Sequence, residues 1–385
     1  MKSNYNQLGQ YIEMVSRTNS DLKYGIEDVR GCSNTKQMMQ TRANLIGRTY
    51  EKFIVLRPQE FVFNRRTTRN GEKIGMAYNN TDREYIFTND YVAFRVKQEY
   101  LDKLLPDYLY LFFCRDEFDR YARYKSTGSA TEFFNWEDMC AVPFEIPPMD
   151  FQQLVVNAYK VLNKRIETKQ KINDNLEATL NTVFVKMYEE TDEDSSVLLS
   201  ELCSLASSKR VFAEDYVSDG VPFYRGKEIT QKRNGEPISD PLFISHNHFA
   251  SLKANYGIPV CGDILITAVG TIGNSYFVQD EEFYFKDGNI IWLKDFIEPS
   301  LNYYIYDYMQ TPIFKRQLEG ICIGSTQTAL TIVALSNLKV KKPRTAELAL
   351  YCKKSKALRS AIQTNNGEIE RLTQVAKAML ASLSR

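Results

Sequence analysis

Two stretches of the chain place apolar residues at alternating intervals of three and four. The later one runs through Leu348, Tyr351, Ser355, Leu358, Ile362, Asn365, Ile369, Leu372, Ala376, Met379 and Leu383, and the earlier one through Val155, Tyr159, Leu162, Ile166, Lys169, Asn173, Leu176, Leu180, Val183 and Met187. A stripe recurring every 3.5 residues is the seam of a coiled coil, so the pattern predicts long helices over 150–190 and 343–385. Asp150 is the expected N-cap of the first, which should end before the acidic stretch Glu189 to Ser196. Outside the stripes, apolar runs are short. Phe61-Val62-Phe63-Asn64 and Ile264-Leu265-Ile266-Thr267 read as strands, as do Val92-Ala93-Phe94 and Ile290-Ile291-Trp292 behind the turn signals Asn89-Asp90 and Asp287-Gly288. Leu105-Pro106-Asp107-Tyr108-Leu109 and Glu298-Pro299-Ser300-Leu301 open short, aromatic-rich helices.

These elements occur twice in the same order. Gly128-Ser129 returns as Gly324-Ser325, and the same offset of 196 carries Pro147 to Pro343, Leu162 to Leu358, Ile166 to Ile362 and Leu176 to Leu372. Upstream the register drifts, with Leu8-Gly9-Gln10-Tyr11 resembling Leu199-Ser200-Glu201-Leu202 and Val92-Ala93-Phe94 answering Ile290-Ile291-Trp292. An internal repeat of this length is a repeated domain. An isolated apolar stripe gains little in water, so each helix needs a partner. If the halves are related by a pseudo-two-fold axis the helices pair antiparallel, with Asn173 opposite Asn365 and Leu162 opposite Ala376; a buried Asn pair fixes register. Alternatively, each stripe packs on its own globular domain. The expected fold is α+β and multidomain, with two similar mixed domains (1–149 and 195–342) and two long antiparallel helices (150–190 and 343–385) forming a coiled coil.

Composition narrows the class. Apolar residues make up 43% and charged residues 25% of 385, the balance of a folded globular protein, and the length suggests more than one domain. A net charge of +1 argues against coating nucleic acid over the whole surface but leaves room for local basic patches. The seven cysteines are scattered without C-x-x-C spacing, which favours free thiols over disulfides or a zinc site. With no long apolar run and no signal-like start, a cytoplasmic protein without membrane association is expected.

Candidate contacts fall in two kinds of segment per half. Arg57, Arg65, Arg66, Arg69 and Lys73 surround the turn-like Thr67-Thr68-Arg69-Asn70-Gly71, and Arg225, Lys227, Lys232, Arg233 and Asn234 play the comparable part later. Such cations suit phosphates and guanine edges, although a solvated surface charge is the simpler role for any one of them. The other kind is the loop Gly324-Ser325-Thr326-Gln327-Thr328, matched by Gly128-Ser129-Ala130-Thr131. There glycine permits close backbone approach while Ser129, Thr131, Ser325, Thr326 and Gln327 offer hydrogen bonds; for the first copy a plain turn serves nearly as well.

The Gly-Ser-Thr-Gln-Thr loop, Val221-Pro222-Phe223-Tyr224-Arg225-Gly226-Lys227, Gly262-Asp263-Ile264-Leu265-Ile266-Thr267 and the paired helices together resemble the specificity subunit of Type I restriction-modification enzymes. The resemblance covers nearly the whole chain. It implies two target recognition domains, each reading half of a bipartite site in double-stranded DNA, and helices that bind two methyltransferase subunits, with a restriction and translocase subunit joining the complex. It also implies a non-catalytic chain without cofactors, whose partners hold S-adenosylmethionine, ATP and Mg. The chain departs from the pattern in residues 12–60, where only Tyr24-Gly25-Ile26-Glu27-Asp28 stands in place of the Pro-Phe-x-Arg-Gly-like stretch. Helices of about 36 residues at roughly 1.5 Å per residue span about 54 Å, an upper limit near 16 base pairs for the spacer.

Other motifs carry less. His246-Asn247-His248 holds both histidines but no acid or cysteine cluster accompanies it, and a polar strand or loop is expected there. Pro106-Asp107 with Glu167-Thr168-Lys169 imitates a nuclease core loosely, yet the second piece lies in the coiled-coil helix. Gly270 and Gly273 lack the following helix of a dinucleotide site, and Gly226-Lys227 lacks the flanks of a phosphate-binding loop. Pro147-Pro148 follows Ile146, with no amide or acid to grip a flipped base. The rival functions are an interaction scaffold or antirestriction decoy of the same architecture, and a stand-alone nuclease.

Overall fold

A computed structural model describes residues 6–41, 45, 47–67, 73–128, 132–235, 238, 240–298, 300–322 and 329–383. The chain forms two compact units, Met1–Glu167 with Glu370–Arg385, and Thr168–Ile369. The units do not follow the order of the chain, because the end of the second long helix folds with the first domain. Among the described residues no helix is long and apolar enough to cross a membrane, and the seven cysteines are unpaired.

The first unit is built on an antiparallel sheet in the spatial order Ile12–Val15, Tyr91–Val96, Phe61–Asn64, Met76–Tyr78. Side chains alternate across its pleat as a strand requires. Phe61, Phe63, Met76 and Phe94 join the helical core with Leu109 and Phe113, whereas Val62, Ala77 and Ala93 pack with Leu56 and Phe87 of a smaller sheet. In that smaller sheet Ile54–Leu56 pairs with Tyr85–Phe87. Pro106 fixes the first turn of the helix Pro106–Phe113, and the helix Asp116–Lys125 follows it. A buried ion pair ties this second helix down: Lys36 meets Asp119, which also accepts the Ile74 N–H at 3.1 Å.

The second unit repeats the plan. Its sheet runs Ser204–Ala206, Ile290–Lys294, Ile264–Thr267, Ser275–Phe277. Ile264, Ile266, Ile291 and Leu293 face a helical core, and Leu265, Tyr276 and Trp292 face Tyr224, Phe283 and Phe285. The helices Leu301–Met309 and Pro312–Ile321 stand where Pro106–Phe113 and Asp116–Lys125 stand in the first unit. Each half also closes on itself, Gln7 bridging Pro143 and Leu198 pairing with Lys339.

One strand correspondence shifts. Phe61 pairs with Phe94 and Ile264 with Leu293, so Val92 corresponds to Ile291 and Phe94 to Leu293, one residue away from the match of Val92-Ala93-Phe94 to Ile290-Ile291-Trp292. A slip of one exchanges the two faces of a strand. Here both faces are apolar, so hydrophobicity alone cannot locate the register.

The first long helix spans Met149–Glu190 and the second Thr345–Ser382. Asp150 lies in the first turn and is not the N-cap, because the helix already begins at Met149; at that position its carboxylate still complements the helix dipole. The helix also continues through Glu189 and Glu190, and a short 3-10 turn, Glu193–Ser195, follows. Near its start the buried Gln152 accepts from the Leu105 N–H at 2.9 Å and donates to Lys103 O at 2.7 Å, docking the helix on the first domain.

In the second unit the helices pair antiparallel. Asn365 donates to Asn173 at 2.9 Å, Asn173 donates to Asn366 at 2.7 Å, and Lys169 reaches both Asn365 and Glu368 at 2.9 Å. Leu176, Leu358 and Ile362 are half-buried on this side, and Leu162, Ile166 and Leu372 are half-buried in the first unit. Both expectations for the stripes hold at once, since the helices pair in the middle and dock on domains at their ends. Phe184 and Tyr351 lie in the core of the second unit, and their repeat equivalents Leu380 and Val155 lie in the core of the first. Each long helix thus ends in the domain of the opposite half.

Candidate nucleic-acid interface

The chain leaving the strand Phe61–Asn64 is stitched to the segment that follows Gly128. Phe133 bridges both Thr127 and Arg66, the Phe134 N–H donates to Arg65 O at 2.9 Å, and the Thr67 N–H donates to Glu132 O at 3.0 Å. In the second half Val269 bridges Ala329 and the Leu330 N–H donates to Ala268 O at 2.9 Å. Phe133 and Ala329, like Phe134 and Leu330, are related by the repeat offset. Phe134 and Leu330 are buried and anchor their segments in the two cores. The fold therefore brings the two kinds of predicted segment together in the first half; in the second the same seam is formed by Ala268 and Val269, and Arg225, Lys232 and Arg233 are bonded elsewhere, to Glu228, Glu281, Asn274 and Gln310.

Arg69, Ser129, Thr131, Ser325, Thr326 and Gln327, together with Thr68, Asn70, Gly71, Gly324 and Thr328, lie outside the described residues. At the first seam Arg65 is exposed, its guanidinium 5.7 Å from the Phe133 ring centre. Arg66 is 3.5 Å from Asp90 and Lys73 is 3.8 Å from Asp116, with all four side chains at least half exposed. Exposed ion pairs of this length contribute about 0–1 kcal/mol, so these cations are readily transferred to a phosphate. Arg57 is engaged elsewhere, 3.0 Å from Glu84 beside the smaller sheet.

The second half differs. Arg225 grips Glu228 with Nη2 at 2.6 Å and Nε at 3.1 Å, Lys232 meets Glu281 at 2.6 Å, and Arg233 donates to Asn274 at 2.5 Å and Gln310 at 3.0 Å. The Arg225–Glu228 pair closes the N-terminus of the helix Gly226–Arg233, and the bonds of Lys232 and Arg233 hold the helix on the sheet, helped by Asn274 donating to Thr230 at 3.0 Å. The Glu228 side chain is fully buried. Burial opposes its charge, but hydrogen bonds from the Arg225 side chain and backbone outweigh it and keep the carboxyl below its ordinary range. Lys227 is exposed on the same helix.

His246-Asn247-His248 is neither strand nor loop. It opens the helix His246–Tyr256, because Ser245 caps it by accepting from the His248 N–H at 3.2 Å; a Ser directly before a helical run was the available signal. Among the described residues no cluster of His, Cys, Asp or Glu is suited to hold a metal. Sequence reasoning also passed over Arg120, Arg123 and Lys125 on the helix before Gly128, and Lys315 and Arg316 on the helix before Gly324. The offset of 196 extends back through these helices and would have pointed to them.

The family model for the Type I restriction modification DNA specificity domain matches residues 33–178 and again 193–374, once for each half. The chain belongs to that specificity family. A protein of Haemophilus influenzae, provisionally assigned as a type I restriction enzyme specificity subunit, is 28% identical over 211 residues, 52% of this chain and 52% of that one. The alignment thus spans about half of that relative's length. The specificity subunit of a Type I restriction-modification system from M. genitalium superposes with a TM-score of 0.54 at 14% identity, covering 99% of this chain and 96% of the other. A chain from a study of complex assembly and conformational transition of the type I R-M system gives 0.47 at 14%, covering 98% and 96%. The specificity-family fold, two similar mixed domains with two long antiparallel helices, is the one seen here.

Proposed function

We infer that this chain is the sequence-reading subunit of a Type I restriction-modification complex. In this reading residues 1–149 and 195–342 are the target recognition domains, and each contacts one word of a bipartite target in double-stranded DNA. The observation that carries the reading is the doubled match of the family model, one copy on each half, coinciding with the doubled seam. At the first seam Arg65, Arg66 and Lys73 hold phosphates and fix the register on the duplex, while side chains from the adjoining segments read base edges. In the second domain Lys227 is the phosphate contact, and Arg225, Lys232 and Arg233 position the helix that presents it.

The chain itself is non-catalytic and needs no cofactor. Two methyltransferase subunits dock on the helices and supply S-adenosylmethionine chemistry, a restriction and translocase subunit uses ATP and Mg, and the complex works in the cytoplasm. Docking is supported by apolar residues left exposed on the first helix, Leu154 at 67% and Val161 at 68%, which a folded helix presents to a partner.

Mapping methylated adenines in host DNA with and without the gene tests the reading. A single motif of two short words with a fixed spacer, lost with the gene, is expected; an unchanged methylation map would refute it. Binding by the purified methyltransferase complex that ignores both sequence and salt would instead favour a non-reading scaffold.

A further inference from the structure

We propose that Tyr124 packs its ring against a base or sugar of the duplex at the word read by the first domain, an inference that rests on the specificity reading above. The helix that carries it, Asp116–Lys125, is held firmly. Phe118 and Ala122 are buried, and Asp119 is fixed by Lys36 and by the Ile74 N–H. Ser126 closes the helix by donating to Ala122 O at 2.7 Å, and the next residue, Thr127, is already bridged to Phe133 and through it to Arg66. Tyr124 therefore stands on a rigid support directly beside the seam.

Tyr124 is 83% exposed, more than any other large apolar residue among the described residues. A docking face for another protein would surround such a ring with apolar neighbours. This one has cations beside it, Arg123 and Lys125 in the last turn, the Lys125 ammonium 5.8 Å from the ring centre, and Arg120 one turn back. Arg123 and Arg120 meet Glu132 and Glu117 in pairs whose side chains are at least a third exposed, weak contacts that a phosphate can displace. A flat aromatic surface beside positive charge matches the chemistry of a duplex, in which phosphates attract the cations and sugars or base edges accept the ring. Tyrosine also loses little conformational entropy on such contact.

The position answering Tyr124 in the second half is Gly320. A Cβ built there meets nothing within 4 Å, so lack of space is not what excludes a ring. The aromatic contact belongs to the first domain alone.

The test uses the full chain with its methyltransferase subunits, and two duplexes, one carrying the motif recovered by adenine mapping and one with both words scrambled. If the wild-type complex does not prefer the motif duplex, the specificity reading falls and this inference falls with it. Given that preference, Tyr124→Ala should weaken binding to the motif duplex by about tenfold. The slope of log affinity against log salt should not change, because no charge is removed. Tyr124→Phe should bind within about twofold of wild type, since the ring is retained. Wild-type affinity in Tyr124→Ala would overturn the proposal. So would a loss of affinity for the methyltransferase measured without DNA, which would mark the ring as a protein contact. Because Tyr124 is exposed, an unchanged melting temperature in both variants is expected.

Discussion

The two globular domains share a sheet order, a pair of helices and a seam, yet they treat their cations in opposite ways. In the first, Arg65, Arg66 and Lys73 are exposed, Arg66 and Lys73 in loose ion pairs and Arg65 over the Phe133 ring. In the second, Arg225, Lys232 and Arg233 are bonded to Glu228, Glu281, Asn274 and Gln310 of their own domain. The positions answering Arg65 and Arg66 at the second seam are Ala268 and Val269, so the repeat conserves the scaffold without conserving the charges on it. A cluster of cations in a sequence is a grip only where the fold leaves their charges uncommitted. The domains are also anchored differently, the first by Lys36 with Asp119, the second by Asp307. Asp307 accepts from Tyr351 and Ser355 at 2.6 Å each and pairs with Arg359. At the position of Asp307 the first half has Leu111.

The largest expected effect separates those anchors. Removing one member of a buried ion pair strands the other and costs about 3–5 kcal/mol, so Asp119→Ala and Asp307→Ala should each lower the melting temperature by roughly 10 °C. Hydrogen exchange should show lost protection in Phe61–Asn64 for the first variant and in Ile264–Thr267 for the second. Uniform loss across both sheets in either variant would mean that the domains are not independently anchored.

A smaller effect compares the rims. Replacing Arg65, Arg66 and Lys73 together with Ala should weaken DNA binding and flatten its salt slope by about two to three, at roughly 0.9 per phosphate contact. The corresponding triple substitution of Arg225, Lys232 and Arg233 should lower stability more and the slope less. Equal slope changes would erase the distinction.

The smallest effect concerns acid. With its folded-state pKa held below the ordinary 4.5, Glu228 stabilises the fold fully above that value, and the contribution fades as the pH falls through the lower folded-state value. Glu228→Gln should melt below wild type near neutrality, and the gap should close as the pH falls below the ordinary carboxylate range. A gap that widens on acidification would contradict the role given to Arg225.

Much of the fold was legible in the sequence. The heptad spacing marked both long helices because a buried seam constrains every third or fourth residue, and the polar intruders Asn173 and Asn365 stood out within it. The register between Val92 and Ile291 was not legible, since Phe94 and Ala93 are both apolar although they face different cores. The interface was less legible still. Lys232 and Glu281, or Arg233 and Gln310, are far apart along the chain, and only the folded sheet shows that they neutralise or satisfy each other. Composition could flag the basic stretches but could not tell a phosphate grip from an internal tie.

The central claim is that each half reads its own word. Its most direct test is the adenine methylation motif written in cells by a chain carrying Ser129→Ala and Thr131→Ala, in the base-reading segment of the first domain. The account predicts a motif relaxed in one word, with the other word and the spacer intact. Relaxation of both words, or a motif identical to wild type, would contradict it.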